Sequence, residues 1–381
     1  MRSQPMQPDV SIISCPDYAP KTVRDALIDA LAPYGGLAWV TPGMRIVIKV
    51  NLLGAHKPER AATTHPTLVT TLCELLATRG ATVVVGDSPG GLFTHAFLAP
   101  IYRVCGMQAV IATGATLNDD FSETTVYHPD GIQLKSFRCT QYLLDADAII
   151  DVCKLKTHGL VAYTGACKNM FGAIPGMKKS ECHYLFPETD AFADMLVDLY
   201  EKLKPRLCIA DAVEVMEGNG PSNGTPRKIG ALLVAKNAHA LDLIGARLMG
   251  LGACDVPTLS AAVKRGLIPK DAEQLSVSGN WQALIVPDFI CSPIRAIKNW
   301  GDPHFSRLLE QLLANKPLVD RTACIGCGIC ARQCPAHAIR MEHCLPVIDR
   351  TVCIRCFCCQ EFCETGAMQL HKPPLAKILY R

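Results

Sequence analysis

No apolar run in this 381-residue chain approaches the ~18 consecutive residues that a membrane-spanning helix needs. The marks of a secretory leader are missing as well. Met1 to Val10 carries one Arg and two prolines before a short apolar stretch, with no charged region, long apolar core or small-residue cleavage site. The expected location is therefore the cytoplasm. An excess of one charge is lacking: Lys and Arg number 38 against 35 Asp and Glu, for a formal net charge of +3 and an isoelectric point near 8.0. That balance supports neither a nucleic-acid partner nor a polybasic membrane contact. No Walker P-loop occurs and no GxGxxG follows a strand-like segment, so a standard nucleotide or dinucleotide site has no support.

Apolar bulk and cysteine are what the chain has. Hydrophobic residues make up 49% and charged residues 19%, with a mean hydropathy of +0.18. That is enough for a sizeable core and excludes a disordered chain; the length allows two or three domains. Twenty cysteines without an export signal point to thiolate metal ligands rather than disulfides. Ten are scattered: Cys15, Cys73, Cys105, Cys139, Cys153, Cys167, Cys182, Cys208, Cys254 and Cys291. None sits in a CxxC pair, and several lie in apolar runs such as Leu207-Cys208-Ile209, so they read mainly as core filling. Cys153 and Cys167 stand apart because they flank a polar motif. The other ten crowd into residues 324–363.

The first 286 residues read as an α/β domain with a mainly parallel sheet. Val10 to Ile13, Arg45 to Val50 and Thr82 to Val85 are strand-like, with an apolar, β-branched bias. Thr22 to Ala32 reads as a helix. A second helix is expected from Thr64 as N-cap, with Pro66 in its first turn, to Gly80. Thr124 to Phe137 reads as a hairpin around Pro129-Asp130-Gly131. Ala148 to Val152, Arg206 to Ala210 and Ala231 to Ala235 are further strands, and Asp190 to Leu203 and Ala238 to Leu248 further helices. Alternation of this kind indicates parallel crossover units. Residues 287–316 read as a connector with a helix from Ser306 to Ala314, and 372–381 as a C-terminal tail.

Between connector and tail, residues 320–339 recur at 349–368, an offset of 29. Asp320-Arg321-Thr322-Ala323-Cys324-Ile325 returns as Asp349-Arg350-Thr351-Val352-Cys353-Ile354. A unit this small needs something besides its core to hold it. Cys324, Cys327, Cys330 and Cys334-Pro335 form one run, and Cys353, Cys356, Cys359 and Cys363 a second with the same spacing. Three cysteines three apart line a tight turn whose sulfurs can converge on an iron–sulfur cube, while the fourth points toward the other cluster. Structural zinc sites instead pair two short knuckles.

This pattern, over Val319 to Gln369, resembles the bacterial-type ferredoxin with two 4Fe–4S clusters, a small α+β domain placed at 317–371. The resemblance implies one cluster held by Cys324, Cys327, Cys330 and Cys363, and a second by Cys353, Cys356, Cys359 and Cys334. The second half departs from the pattern. Glu364 replaces the proline, Arg355 and Phe357 stand where the first half has Gly326 and Gly328, and Cys358 is an additional thiol. Arg355 brings a positive charge that should favour the reduced form of the second cluster.

In the α/β part, polar motifs follow the expected strands, where open sheets of this class bind ligands. They include Lys49-Val50-Asn51, Gly86-Asp87-Ser88-Pro89, Lys154-Leu155-Lys156-Thr157-His158, Lys168-Asn169-Met170-Phe171-Gly172 and Glu217-Gly218-Asn219-Gly220-Pro221. Lys49, Lys156, Lys168 and His158 suit an anionic or carbonyl-bearing ligand. Asp87, Asp211 and Glu217 suit a divalent metal or acid–base work. His56, His65, His95, His183 and His304 are dispersed and read as structural or solvated.

These motifs, across residues 9–255, resemble the family called domain of unknown function 362, which is often fused to a ferredoxin. Val50, where the family usually has proline, and Lys236-Asn237, where an acidic residue is usual, are departures. The resemblance implies a cytoplasmic iron–sulfur protein of anaerobic metabolism. Two readings follow. In the first, the protein is an oxidoreductase that passes electrons between an external carrier or redox partner protein and a site lined by Lys49, Asp87, His158, Lys168 and Asn169. That chemistry calls for a flavin, a divalent metal or a partner to complete it. In the second, it is a non-enzymatic electron relay whose α/β domain docks a partner or senses a small anionic ligand.

Overall fold

The computed structural model describes residues 7–291 and 315–371; the expected helix from Ser306 to Ala314 and the tail 372–381 lie outside the described residues. The strands are β1 (Val10–Ser14), β2 (Arg45–Val50), β3 (Thr82–Gly86), β4 (Thr116–Leu117), β5 (Glu123–Tyr127), β6 (Ser136–Thr140), β7 (Ala148–His158), β8 (Ala162–Thr164), β9 (Leu207–Glu217), β10 (Thr225–Ala235) and β11 (Val277–Ser278). The smaller unit contributes β12 (Lys316–Val319), β13 (Ile339–Glu342), β14 (Leu345–Ile348) and β15 (Met368–His371).

One sheet runs β11-β1-β10-β9-β7-β2-β3-β4, with β8 paired to the end of β7. From β9 to β4 the strands are parallel, while β10 is antiparallel to both β9 and β1. The sheet is mainly parallel, as its composition requires. Ile46, Ile48 and Val50 face one layer and Val47 the other, so both faces of β2 must be apolar. Helices Pro20–Leu31 and Pro66–Ala77 cover the first face through Val23, Leu27, Leu68 and Leu72. Helices Thr189–Leu203, Ala238–Leu248 and Pro257–Lys264 cover the second through Phe192, Leu196, Leu241 and Leu259. Eight of the ten scattered cysteines are buried, including Cys153 and Cys167; Cys254 is exposed and Cys291 half-buried.

Three expectations need correction. The N-cap of Pro66–Ala77 is His65, whose Nδ1 accepts the Thr67 N–H at 3.3 Å. Thr64 instead ties two strands, donating to the Val152 carbonyl at 2.8 Å and accepting the Asn51 N–H at 3.0 Å. Strand β7 does not stop at Val152 but continues to His158, so the Lys154–His158 motif is strand. Strand β9 likewise runs on to Glu217, which makes Asp211 an interior strand residue.

The sequence repeat is a structural one. β12 pairs with β15 and β13 with β14, all antiparallel. The Asp320 N–H donates to the Ala367 carbonyl and the Asp349 N–H to the Ala338 carbonyl, both at 2.7 Å. Each Asp side chain also accepts from a Thr two residues on, at 2.9 Å from the amide and 2.6 Å from the hydroxyl. Short helices at Ile329–Arg332 and Cys358–Glu361 occupy equivalent places. The left-handed turns repeat too: Gly326 and Gly328 have φ of 70° and 71°, and Arg355 and Phe357 adopt 56° and 62°.

Candidate functional site

Lys49, at the C-terminal end of β2, lies in register between Gly86 of β3 and Asp151 of β7. It is fully buried. Its Nζ is 2.8 Å from Asp87 Oδ1 and donates to the Val50 carbonyl at 2.7 Å and to Asn169 Oδ1 at 3.3 Å. The other Asp87 oxygen accepts the Leu52 N–H at 2.8 Å. Asn169 Oδ1 also accepts from Asn51 Nδ2 at 3.0 Å, and Asn51 Oδ1 accepts from Lys156 Nζ at 2.7 Å. Gly172 closes over this network: a Cβ there would lie 2.1 Å from Asp87 Oδ1, so only glycine lets the backbone approach so closely.

Burial dominates the charges here. It pushes the Asp151 carboxyl up to about 8, with Lys49 and Asn169 only partly opposing it. It pulls the Lys156 ammonium down to about 7, helped by Lys168. His158, at the end of β7, accepts the Leu160 and Val161 N–H groups at Nδ1, at 3.0 and 3.3 Å, which assigns the ring proton to Nε2. Burial depresses its pKa. Its Nε2 is 3.0 Å from Glu361 Oε1, though out of line for a good hydrogen bond. Burial alone would raise Glu361; His158, Lys168 and His183 outweigh that and hold it at about 2.

Glu361 belongs to the repeat unit, which docks on the large domain through its second cysteine run. Phe357 is buried in the same core cluster as Leu155, Leu160 and Tyr163. Gln360 is fully buried and donates to Asn219 Oδ1 at 2.7 Å; Ser222 Oγ donates to the Glu361 carbonyl at 3.2 Å. Phe362 lies against Gly90, where a Cβ would come within 1.9 Å of its ring. Cys358 and Gln360 are buried here, Cys359 is buried in the small unit's own core with Ile339 and Met368, and Cys327 of the first run is exposed. None of the twenty cysteines is in a disulfide, and the sulfurs of Cys334 and Cys363 accept the Ala338 and Met368 N–H groups at 3.3 and 3.4 Å. Free thiols with amide donors turned toward sulfur are the environment that iron–sulfur ligands require.

Between the two units lies an open-sided cleft of about 520 Å³, counted out to solvent. Asp87, Ser88, Lys168, Asn169 and Gly172 form one wall, helix Lys178–Leu185 supplies Lys179, Ser180 and His183, and Cys358, Glu361 and Phe362 form the other wall. Lys168 Nζ sits 4.6 Å from the centre of the Phe171 ring.

The structure thus brings together Lys49, Asp87, Lys168 and Asn169. Neither Lys49 nor His158 lines the cleft: Lys49 is buried behind Asp87, and His158 meets the cleft through Glu361. The acidic trio does not assemble. Asp211 pairs with Lys154 at 2.9 Å and Tyr18 at 2.8 Å, and Glu217 accepts the Ile290 N–H at 3.1 Å. Among the described residues no group of three or more His, Cys, Asp or Glu side chains converges on a single metal ion. His183, expected to be structural or solvated, lines the cleft instead. Sequence reasoning missed Lys179, Ser180 and Glu361; the acidic residue two places after Cys359 was the one signal available.

Residues 46–247 match the family described as Domain of unknown function (DUF362), and residues 317–340 match the 4Fe-4S binding domain. The first match covers more than half of the chain, which belongs to that family and carries the iron–sulfur domain characteristic of electron-transfer proteins fused behind it. Among particular proteins, the thylakoid-associated protein sll1697 of Synechocystis sp. is 28% identical over 309 residues, 79% of this chain and 93% of that protein. The lactate racemase apoprotein from Thermoanaerobacterium thermosaccharolyticum superposes with a TM-score of 0.39 at 12% identity, over 65% of this chain and 58% of that one. No single helix among the described residues is long and apolar enough to cross a membrane.

Proposed function

We propose that the protein is a cytoplasmic oxidoreductase with two 4Fe–4S clusters, which exchanges electrons with an external carrier or redox partner protein and works on a ligand in the inter-unit cleft. Cys324, Cys327, Cys330 and Cys363 hold the first cluster, and Cys353, Cys356, Cys359 and Cys334 the second. Bound clusters supply one-electron transfer at a potential set by their surroundings. The observation that carries the reading is the wall of the cleft. Cys358, Glu361 and Phe362, which surround Cys359 in sequence, face Asp87, Lys168 and Asn169 across it.

The chain's own residues do the rest. Lys49 and Asn169 fix the position of Asp87 and Asn51 at the floor. His158 holds a proton at Nε2 beside the ionised Glu361. Phe171 and Phe362 add apolar surface to the open-sided cleft. One-electron clusters alone seldom complete two-electron chemistry on an organic ligand, so a flavin or a divalent metal in the α/β domain, or a partner, completes the reaction.

Anaerobic analysis of the full-length protein for iron, sulfide, flavin and other metals tests this. About eight irons and eight sulfides per chain are expected after reconstitution, with two paramagnetic centres on reduction. Far less iron would sink the two-cluster assignment.

A further inference from the structure

Lys168, Lys179, Ser180 and His183 lie on one side of the cleft without a close ion pair, although Glu361 acts on Lys168 and His183, and Asp87 on Lys179, from farther away. Lys168 and Lys179 have no carboxylate within 4.0 Å among the described residues, while Lys49 has Asp87 and His158 has Glu361. Lys179 is only 9% exposed; its Nζ donates to the Ile174 carbonyl and, at 3.4 Å, to Ser88 Oγ. Ser180 Oγ and His183 Nδ1 are buried without a hydrogen-bond partner among the described residues, in residues that are 7% and 3% exposed. Three residues apart on helix Lys178–Leu185, they share a face, and all four residues line the cleft. A buried ammonium without a carboxylate in contact is unfavourable, as is a buried hydroxyl or imidazole nitrogen without a partner. One bound group would relieve all of them.

We propose that the cleft binds a small organic oxyanion, a carboxylate or a phosphate, with its charged group held by Lys168, Lys179, Ser180 and His183. The neutral part of the ligand then lies toward Asn169 and the wall carrying Cys358 and Phe362. His183 is fixed for this task by stacking on Phe192, with ring centres 4.3 Å apart, and by the edge of Phe171 at 5.7 Å. That this anion is the substrate rests on the electron-transfer reading above; the binding itself does not.

The site has a pH signature. Burial pulls Lys179 down to about 7; Asp87 and Cys182 oppose this, and Lys49 and Lys168 add to it. A bound anion favours the ammonium form, so binding takes up a proton and weakens as pH rises through 7.

The test is calorimetric titration of the full-length, iron-reconstituted protein with sodium sulfate and with sodium acetate, neither of which titrates between pH 6 and 9. One anion should bind one per chain, losing affinity above pH 7. Tighter sulfate binding marks a phosphate ligand and tighter acetate binding a carboxylate. Lys179→Met should weaken binding at least tenfold with iron content unchanged. Should that variant fail to fold, Ser180→Ala carries the test and should weaken binding severalfold. Iron-replete wild type that binds neither anion, or variants that bind as well as wild type, overturn the site. Anion binding by protein that cannot be loaded with iron upholds the site and fails the electron-transfer reading instead.

Discussion

At the scale of single residues, the second half of the repeat is the informative one. Gly326 and Gly328 meet their left-handed turns without penalty, while Arg355 and Phe357 hold φ of 56° and 62°, which costs an L-residue roughly 1–2 kcal/mol each. Phe357 offsets this by burying its ring in the core of the large domain. Phe357→Ala should therefore destabilise the protein by about 3–5 kcal/mol. Phe357→Gly should be less harmful than Phe357→Ala by about 1 kcal/mol, the reverse of the usual order. Thermal unfolding under anaerobic conditions measures both, and an alanine variant at least as stable as the glycine one would refute the account. Arg355 is half-buried and has no such packing role. On the two-cluster proposal, Arg355→Gly should lower the potential of the cluster held by the second run, which would lose a nearby positive charge. Redox titration followed by EPR checks this, and an unchanged or raised potential would contradict it. The glycine replacements were visible in the sequence. What they are for was not, because the surface Phe357 fills is built some 200 residues earlier in the chain.

At the scale of elements, the regular pieces were legible where apolar periodicity alone decides them. Strand β2 and helix Ala238–Leu248 fall where the pattern places them. Strands β7 and β9 were read too short for a physical reason. Lys154, Lys156 and Asp211 interrupt the apolar run and look like a solvated strand end, yet all three are buried. Lys154 is neutralised by Asp211 on the neighbouring strand, and no local pattern reveals a partner that distant. The docking of the two units is an element-scale matter as well. Gly90 gives room to Phe362, so Gly90→Ala should displace the ring while leaving the sheet intact, at a cost of about 1–3 kcal/mol. Hydrogen exchange should accelerate in Cys358–Phe362 and remain unchanged in β2 and β7; equal protection in both proteins would argue against the contact.

At the scale of the whole molecule, the number of buried ionisable groups governs the response to acid. Burial keeps His56 and His65 at about 4 and His183 at about 3, and depresses His158 as well. All four bind protons near 6.5 when unfolded. The unfolded chain then takes up more protons than the folded one as pH falls below 6.5, so these groups remove stability on acidification. Asp151 and Asp242, raised by burial to about 8 and about 7, work in the opposite direction, but two carboxyls do not balance four imidazoles. The unfolding temperature should fall steadily between pH 6.5 and 4.5, and His183→Gln should flatten that slope. A profile that rises toward acid would contradict the assignment of neutral histidines. The architecture at this scale, an α/β domain followed by a cysteine-rich repeat, was readable from composition and repeat spacing. The cleft was not, because its two walls come from different units.

On the two proposals above, that shared wall would couple the ligand in the cleft to the iron behind it. With two clusters bound, the turns around the second cysteine run that place Cys358, Glu361 and Phe362 on the cleft wall would be held by iron. Occupancy of the cleft and retention of iron are then linked equilibria, each stabilising the other by mass action. A protein with its ligand bound should surrender iron to chelators or oxygen more slowly. One that has lost its iron should hold the ligand more weakly, so that damage by air lowers both occupancies together.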